Sequence, residues 1–238
     1  MRVIDREQAQ IVAGFGSTTR VNTRLHALSQ VGLLRRFFLG TADGGRKALY
    51  ALSRKAAQLV DVPYAGPRLH AEGTLVADFF IRHQFAINQI YCALKYGPLP
   101  PTVTFRQWAT FRRPLAPEIR LIPDGYVELD TSLGILRAFL EIDLGNERVK
   151  LWKEKVRNYL HMALSRKYDG HPGESFRVIV ITSTETQRRM IEKTIKASTQ
   201  KIFWTTTFEA VNRSGFFSEI WHRPNTREAQ PFCDLQKI

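Results

Sequence analysis

The chain has 238 residues, of which 35 are Lys or Arg and 22 are Asp or Glu, so its formal net charge is +13. This charge attracts polyanions and makes nucleic acid the first partner to consider, although a basic surface that only keeps a protein in solution gives the same count. The two cysteines lack metal-ligand spacing, no apolar run reaches the roughly 18 residues of a membrane span, and the first residues are unlike a signal peptide. We therefore expect a cytoplasmic protein with no zinc site, disulfide framework or membrane segment.

Residues 1–60 form a strongly basic segment, with ten Lys or Arg against three acidic residues. The pattern predicts a helix over 5–15, a second helix over 18–34 capped by Ser17, and a hairpin formed by 35–39 and 46–52. This order of elements predicts a winged helix. A winged helix normally has another helix before this pair, and the chain has no room for it, so the segment either begins short or borrows a helix from a partner.

The second helix of this segment has one apolar face and one polar face. Val21, Leu25 and Leu28 recur at helical spacing and predict a buried stripe. The opposite face carries small polar side chains that can contact base edges, and the hairpin tip carries basic ones that can contact phosphates. We predict that duplex DNA is bound by Arg20, Asn22, Thr23, His26, Arg46 and Lys47. The alternative is a small dimerisation or docking module.

Prolines and a glycine in residues 61–69 predict a linker, which leaves 70–221 as a second domain. There we expect a helix over 69–96, strands over 103–108, 122–129 and 135–143, a helix over 147–165, a strand over 176–183, a helix over 184–197 and a strand over 202–207. The predicted class is α/β (α+β), with a mixed sheet covered by helices. Residues 222–238 are polar and are expected to form a mobile tail.

An acidic cluster follows from the hairpin predicted at 122–143. If Leu129 pairs with Ile135, Asp124 lies opposite Leu140 and one residue from Glu141. Glu141 and Asp143 are two positions apart, so both side chains leave the same face of the strand. Three crowded carboxylates favour a hard divalent cation, and the sequence thus predicts a Mg²⁺ or Mn²⁺ site at Asp124, Glu141 and Asp143. The alternative is a Pro-Asp-Gly turn beside a strand that ends at the surface.

A catalytic site for phosphodiester hydrolysis would also use a lysine, and its usual place is two residues after the strand glutamate. Asp143 occupies that place here. The best substitute is Lys155 on the following helix, which shares a helix face with Tyr159. Lys150 and Lys153 are weaker candidates, and all three lysines could equally form a solvated basic face that contacts phosphates.

Six short motifs, in this order and spacing, resemble the replication-relaxation family over most of the chain up to about Trp221. They are Arg24-Leu25-x-x-Leu28-x-x-x-Gly32-Leu33-Leu34, Ala48-Leu49-Tyr50-x-Leu52, Ile122-Pro123-Asp124-Gly125, Leu140-Glu141-Ile142-Asp143, Lys155-x-x-x-Tyr159 and Ile179-Val180-Ile181-Thr182-Ser183.

The resemblance implies a winged helix joined to a restriction-endonuclease-like domain of the PD-(D/E)XK class, and a role in replication, relaxation or mobilisation of plasmids and mobile elements. It carries Asp124, Glu141 and Asp143 over as the acidic site and Lys155 as a relocated lysine.

Three functional hypotheses remain open from the sequence. The first is a DNA-binding nuclease or nickase that uses Mg²⁺ or Mn²⁺. The second is a non-catalytic DNA-binding initiator or regulator that keeps the nuclease fold as a docking platform, and the third is a protein-interaction adaptor. Double-stranded DNA is the expected partner, with a homodimer or a larger mobile-element complex as the form of assembly.

Overall fold

The computed structural model describes residues 2–40, 44–64, 78–145, 147–165 and 175–233. The chain divides into two compact units, residues 1–97 and 98–238. The first holds a small antiparallel sheet with helices, and the second holds a five-stranded mixed sheet with helices. The predicted α+β class is confirmed.

The first unit consists of two helices, a hairpin and two further helices. Its elements are β1 Ile4–Asp5, α1 Arg6–Ala13, α2 Thr18–Gln30, β2 Leu34–Gly40, β3 Arg46–Leu52, α3 Arg54–Leu59 and α4 Asp78–Tyr96. The strands pair antiparallel in the order β1-β3-β2. Ser17 caps α2 as predicted, because its hydroxyl accepts from the Arg20 backbone N–H at 3.3 Å. Residues 41–43, between the two hairpin strands, lie outside the described residues.

Both faces of the small sheet are covered by helices. On one face, Val21 and Leu25 of α2 and Ala9 of α1 pack against Tyr50. On the other, Ile81 of α4 packs with the strand residues Phe37, Leu39, Leu49 and Ala51. The unit therefore has two small cores, one on each side of a three-stranded sheet.

Helix α4 belongs to the first unit, which moves the division of the chain from the predicted linker at 61–69 to position 97. Besides the Ile81 contact, the buried Asn88 amide donates to the Val3 carbonyl at 2.6 Å and to the Gln8 side chain at 3.2 Å. Helical periodicity reveals that α4 has an apolar face but not which sheet covers it. Residues 65–77, including part of the predicted linker and helix, lie outside the described residues.

The second unit begins at the first predicted strand and follows the predicted order from there, with one extra helix at the end. Its elements are β4 Thr104–Ala109, β5 Gly125–Thr131, β6 Gly134–Asp143, α5 Val149–Ser165, β7 Arg177–Thr182, α6 Glu185–Lys196, β8 Phe203–Thr207 and α7 Phe208–Ser214. The sheet order is β4-β5-β6-β7-β8, antiparallel among β4, β5 and β6 and parallel from β6 to β8. Trp152 and Tyr159 of α5 and Ile191 of α6 bury one face of this sheet against Phe139.

The register of the β5–β6 hairpin differs from the prediction by one residue. Thr131 pairs with Gly134, whose positive φ of 106° closes a loop of two residues. As a result Leu129 pairs with Leu136 instead of Ile135, and Gly125 pairs with Leu140. The prediction that Asp124 faces Leu140 was therefore wrong by one position, and Asp124 lies opposite Glu141.

The C-terminal segment is packed as far as the structure describes it, in contrast to the mobile tail expected over 222–238. His222 exchanges two backbone hydrogen bonds with Thr205 of β8, and Trp221 does the same with Gln230. Phe232 is fully buried, and its ring contacts those of Trp204, Phe216 and Trp221. The mostly polar composition of this segment gave no sign that Phe232 is buried. Residues 234–238 lie outside the described part of the chain.

None of the helices formed by the described residues combines the length and the apolar character needed to cross a bilayer.

Candidate functional site

Asp124 and Glu141 meet on adjacent strands at the edge of the large sheet. The Asp124 backbone N–H donates to the Leu140 carbonyl at 3.0 Å, and its Oδ2 accepts from the Ile142 N–H at 2.7 Å. These two bonds bracket Glu141, and the Asp124 carboxylate lies close enough to Glu141 to raise the pKa of that carboxyl. The Asp124 carboxylate thus takes the place of a backbone carbonyl as the acceptor for the Ile142 N–H.

Glu141 lies at the centre of a buried polar cluster with α5. It is 1% exposed. Its Oε2 accepts from the Lys155 ammonium at 2.7 Å and its Oε1 from the Tyr159 hydroxyl at 2.6 Å. Lys155 also donates to Glu147 Oε1 at 2.6 Å. Lys155 and Tyr159 share one face of α5, and that face is turned toward β6.

The charges of this cluster strongly influence one another. Burial raises the pKa of Glu141 to about 7, with Lys155 opposing that rise and the nearby Asp124 carboxylate adding to it. Burial also raises the pKa of Glu147, again against Lys155. The pKa of Lys155 is raised because attraction to Glu141 and Glu147 outweighs the cost of burying its charge. The pKa of Tyr159 rises through burial and the Glu141 charge, so its hydroxyl stays protonated and donates. The site therefore combines a permanent cation with a carboxylate that titrates near neutrality.

Asp143 lies on the same strand face but has separate partners. Its Oδ2 accepts from the Trp152 indole at 2.7 Å, and its Oδ1 accepts from the Gln187 amide at 2.5 Å and from the Gly145 N–H at 2.9 Å. Both oxygens are thus engaged by protein donors in a position that is 1% exposed. These contacts connect β6 to α5 and α6, which indicates a structural role for Asp143.

Among the described residues, no three His, Cys, Asp or Glu side chains are grouped in a way that could hold a metal ion. The donors nearest to such a site are Asp124 and Glu141. Glu147 adds one more oxygen, Oε2, which is buried and has no hydrogen-bond partner among the described residues. A buried carboxylate oxygen without a partner is costly unless water or a cation reaches it.

Sequence reasoning missed Glu147 and Gln187. Glu147 was expected only as the first residue of a helix, but α5 begins at Val149, so Glu147 stays in the loop and reaches Lys155. Gln187 lies 44 positions after Asp143, and only the parallel pairing of β6 with β7 brings α6 close to it. The spacing of residues 147 and 155, two helical turns, was the only available signal for Glu147.

Exposed basic side chains lie on the chain segments that flank the residues of this cluster in sequence. Arg112, Arg113 and Arg120 are exposed on the segment before Asp124, which folds back through a hydrogen bond from the Leu115 N–H to the Leu121 carbonyl at 3.0 Å. Lys150 and Lys153 are exposed in the first turns of α5. This distribution gives the second unit its own positive surface.

The candidate DNA-contacting residues of the first unit have two kinds of environment. Arg20, Asn22, Thr23 and His26 are exposed on α2, as is Arg46 at the start of β3. The Lys47 ammonium instead forms ion pairs with Asp5 and with Glu7, the latter at 3.2 Å. Its charge is therefore already neutralised within the unit.

Comparisons with known proteins identify the family. The family model described as replication-relaxation matches residues 2–178. The chain belongs to the replication-relaxation family. No curated protein and no solved structure matches it significantly. The family match spans the whole first unit and the strands and helix that carry Asp124, Glu141 and Lys155. Membership of the replication-relaxation family indicates a role in the replication or relaxation of plasmid or mobile-element DNA.

Proposed function

We propose that this protein binds duplex DNA through its first unit and hydrolyses a phosphodiester bond at the Asp124–Glu141–Lys155 site of its second unit, with Mg²⁺ or Mn²⁺ as cofactor. The observation that carries the proposal is the convergence of two carboxylates and one lysine at a single sheet edge. These residues come from three elements separated along the chain. The arrangement has the chemistry of a PD-(D/E)XK site in which the lysine has moved from the strand to the next helix.

The donor set fits a divalent cation that takes few protein ligands. Mg²⁺ is commonly held by one or two carboxylates and completes its shell with water and phosphate oxygens. Asp124 and Glu141 would supply those carboxylates, and the unsatisfied Oε2 of Glu147 lies in the same cluster. The cation would polarise the phosphate and lower the pKa of a bound water. Asp143 is left out of the proposed ligand set because it accepts three bonds from protein donors, two of them at Oδ1. Each Glu141 oxygen accepts only one such bond and keeps a second lone pair for a cation.

The remaining steps belong to the residues of the chain. Lys155 stays protonated and can stabilise negative charge that develops on the phosphate. It would reach the phosphate by exchanging its bond to Glu147, the more exposed of its two carboxylate partners at 22% against 1%. Tyr159 keeps Glu141 oriented through its hydrogen bond. Burial of Glu141 excludes water from one side of the site and strengthens these interactions.

The first unit supports DNA binding as a winged helix in which α2 lies in the major groove. Exposed Asn22, Thr23 and His26 would contact base edges, and Arg20 and Arg46 would contact phosphates. Lys47 contributes less than predicted because its charge is paired internally. Helix α4 takes part in this unit by supporting the hairpin sheet from its other face.

The test is a cleavage assay on supercoiled plasmid with Mg²⁺ or Mn²⁺. Wild-type protein should produce nicked or linear DNA, and Asp124→Asn and Glu141→Gln should each lower the rate at least about 100-fold, as loss of a central electrostatic group does. Glu154→Gln is the matched control, since Glu154 is exposed on α5 and should be silent. DNA affinity measured without metal should be the same for all four proteins. Equal inactivity of wild type and variants with every DNA form would refute the catalytic proposal.

A second candidate function is a non-catalytic DNA-binding initiator or regulator. One observation favours it: Lys155 already pairs with both Glu141 and Glu147, as a structural ion-pair network would. In this case a plasmid that depends on the protein should be maintained with Asp124→Asn but lost with the double variant Arg20→Ala, Arg46→Ala. The opposite pattern would exclude this candidate.

A further inference from the structure

One large aromatic side chain in the first unit is exposed at the end of the hairpin. Phe38 is 50% exposed, although Phe37 and Leu39 on either side of it are buried on the opposite face. Two neighbours on its own face are small: its cross-strand partner is Ala48, and the residue two positions further is Gly40. The phenyl ring therefore stands above the sheet with a methyl group beside it and no side chain at Gly40.

A basic side chain stacks on this ring. The Arg36 guanidinium, itself exposed, lies 5.0 Å from the centroid of the Phe38 ring. Leu34, Arg36 and Phe38 are two positions apart on β2, so their side chains lie on the same face of the sheet. Leu34 packs with Ala48, Tyr50 and residues of α2. The pair thus lies on the sheet face that α2 covers, the helix whose exposed side carries Asn22 and His26.

We propose that Phe38 and Arg36 form a site for an unpaired base at a locally opened stretch of DNA. The inference rests on the proposed DNA binding by the first unit and goes further, since it assigns a preference for disrupted duplex. An aromatic ring offers a stacking surface to any base, and an adjacent arginine can stack and bind the neighbouring phosphate. An exposed phenylalanine alone would fit a protein partner equally well, but the +7 charge of residues 1–60, ten basic against three acidic residues, favours a polyanion with aromatic faces.

The site gives the protein a way to hold an opened region during replication or relaxation. In a continuous duplex every base is stacked between its neighbours, so the ring finds no partner without unstacking a step. In a mismatched or melted stretch the bases are already unstacked, so binding spends no free energy on unstacking them. Stacking on Phe38 then increases the affinity. The expected preference for a duplex with a central unpaired stretch over the same duplex fully paired is about tenfold, equivalent to 1.4 kcal/mol.

The experiment compares the affinities of the full chain for these two DNA molecules at one salt concentration by fluorescence anisotropy. Phe38→Leu keeps the apolar volume but removes the ring and should abolish the preference, whereas Phe38→Tyr should retain it. Leu59→Ala is the control, because Leu59 is 68% exposed in the same unit and is the last residue of α3, outside the hairpin strands. A fluorescent base analogue in the unpaired stretch should be quenched by wild type and Phe38→Tyr only.

Wild-type protein that binds both DNA molecules equally would overturn the inference and leave the proposed duplex binding intact. An equal loss of affinity for both molecules in Phe38→Leu would also overturn it, since the ring would then make an ordinary contact. A protein dimer that Phe38→Leu dissociates, with DNA affinities unchanged, would assign the ring to a second copy of the chain. Absence of binding to either DNA would overturn the proposed function as well.

Discussion

Replacing Lys155 with methionine should destabilise the second unit in a way that depends on pH. The pKa of Glu141 is raised from 4.5 to about 7. Between these values the folded protein holds a proton that the unfolded chain releases, so stability falls as pH rises. In wild type this fall ends near pH 7, because Lys155 allows Glu141 to ionise. In Lys155→Met, Glu141 stays protonated to higher pH and the fall continues.

The difference between the two proteins should therefore open above pH 7 by about 1.4 kcal/mol per pH unit. We expect a loss within about 1 kcal/mol at pH 6 and about 2 kcal/mol larger at pH 8.5 than at pH 7, since one and a half pH units separate these values. Methionine keeps most of the lysine's apolar stem, so packing changes little. Urea unfolding followed by tryptophan fluorescence measures the loss, because all four tryptophans lie in the second unit.

Two further variants make this experiment decisive. Lys153→Met removes an exposed lysine from the same helix and should show no pH-dependent loss. Adding Glu141→Gln and Glu147→Gln to Lys155→Met removes both carboxyl groups whose pKa Lys155 lowers, so the stability difference should no longer change with pH. An equal loss at pH 6 and pH 8.5 in Lys155→Met would refute the assignment of Lys155 as the charge that permits Glu141 to ionise.

Three more predictions address other residues. Asp143→Ala should lower the free energy of unfolding by about 3 kcal/mol because it leaves buried donors without an acceptor; a loss below about 1 kcal/mol in urea would contradict its structural role. Phe232→Ala should cost about 3–5 kcal/mol and expose residues 222–233 to limited proteolysis, whereas an unchanged cleavage pattern would support a mobile tail. Arg46→Ala should reduce the slope of log affinity against log salt by about 0.9, while Lys47→Ala should leave it unchanged because its charge is paired internally; equal slopes in both variants would refute that distinction.

The acidic pair could be predicted from the sequence because it depends on strand periodicity and one short hairpin. The predicted pairing of Asp124 and Glu141 differs from the observed register by one residue. The error arose from Gly134, whose positive φ allows a two-residue loop. The candidate lysine also followed from local spacing, since Lys155 and Tyr159 share a helix face over a single turn. These features need only neighbours along the chain or along one hairpin.

The partners of each side chain could not be predicted in the same way. Asp143 carries the same carboxylate as Glu141 and lies on the same strand face, yet its oxygens bind Trp152 and Gln187 while those of Glu141 bind Lys155 and Tyr159. Which donors reach a carboxylate depends on how α5 and α6 cross the sheet, and sequence periodicity gives no information on that crossing.

The sequence by itself determined the basic first unit, the mixed sheet of the second and the residues that could form an acidic site, because charge and hydrophobic period are local properties. Only the tertiary structure decided that α4 belongs to the first unit, that Phe232 anchors the C-terminal segment, and that Gln187 binds Asp143. Each of these depends on contacts between residues far apart in the chain, and such contacts are fixed by which buried surfaces fit together.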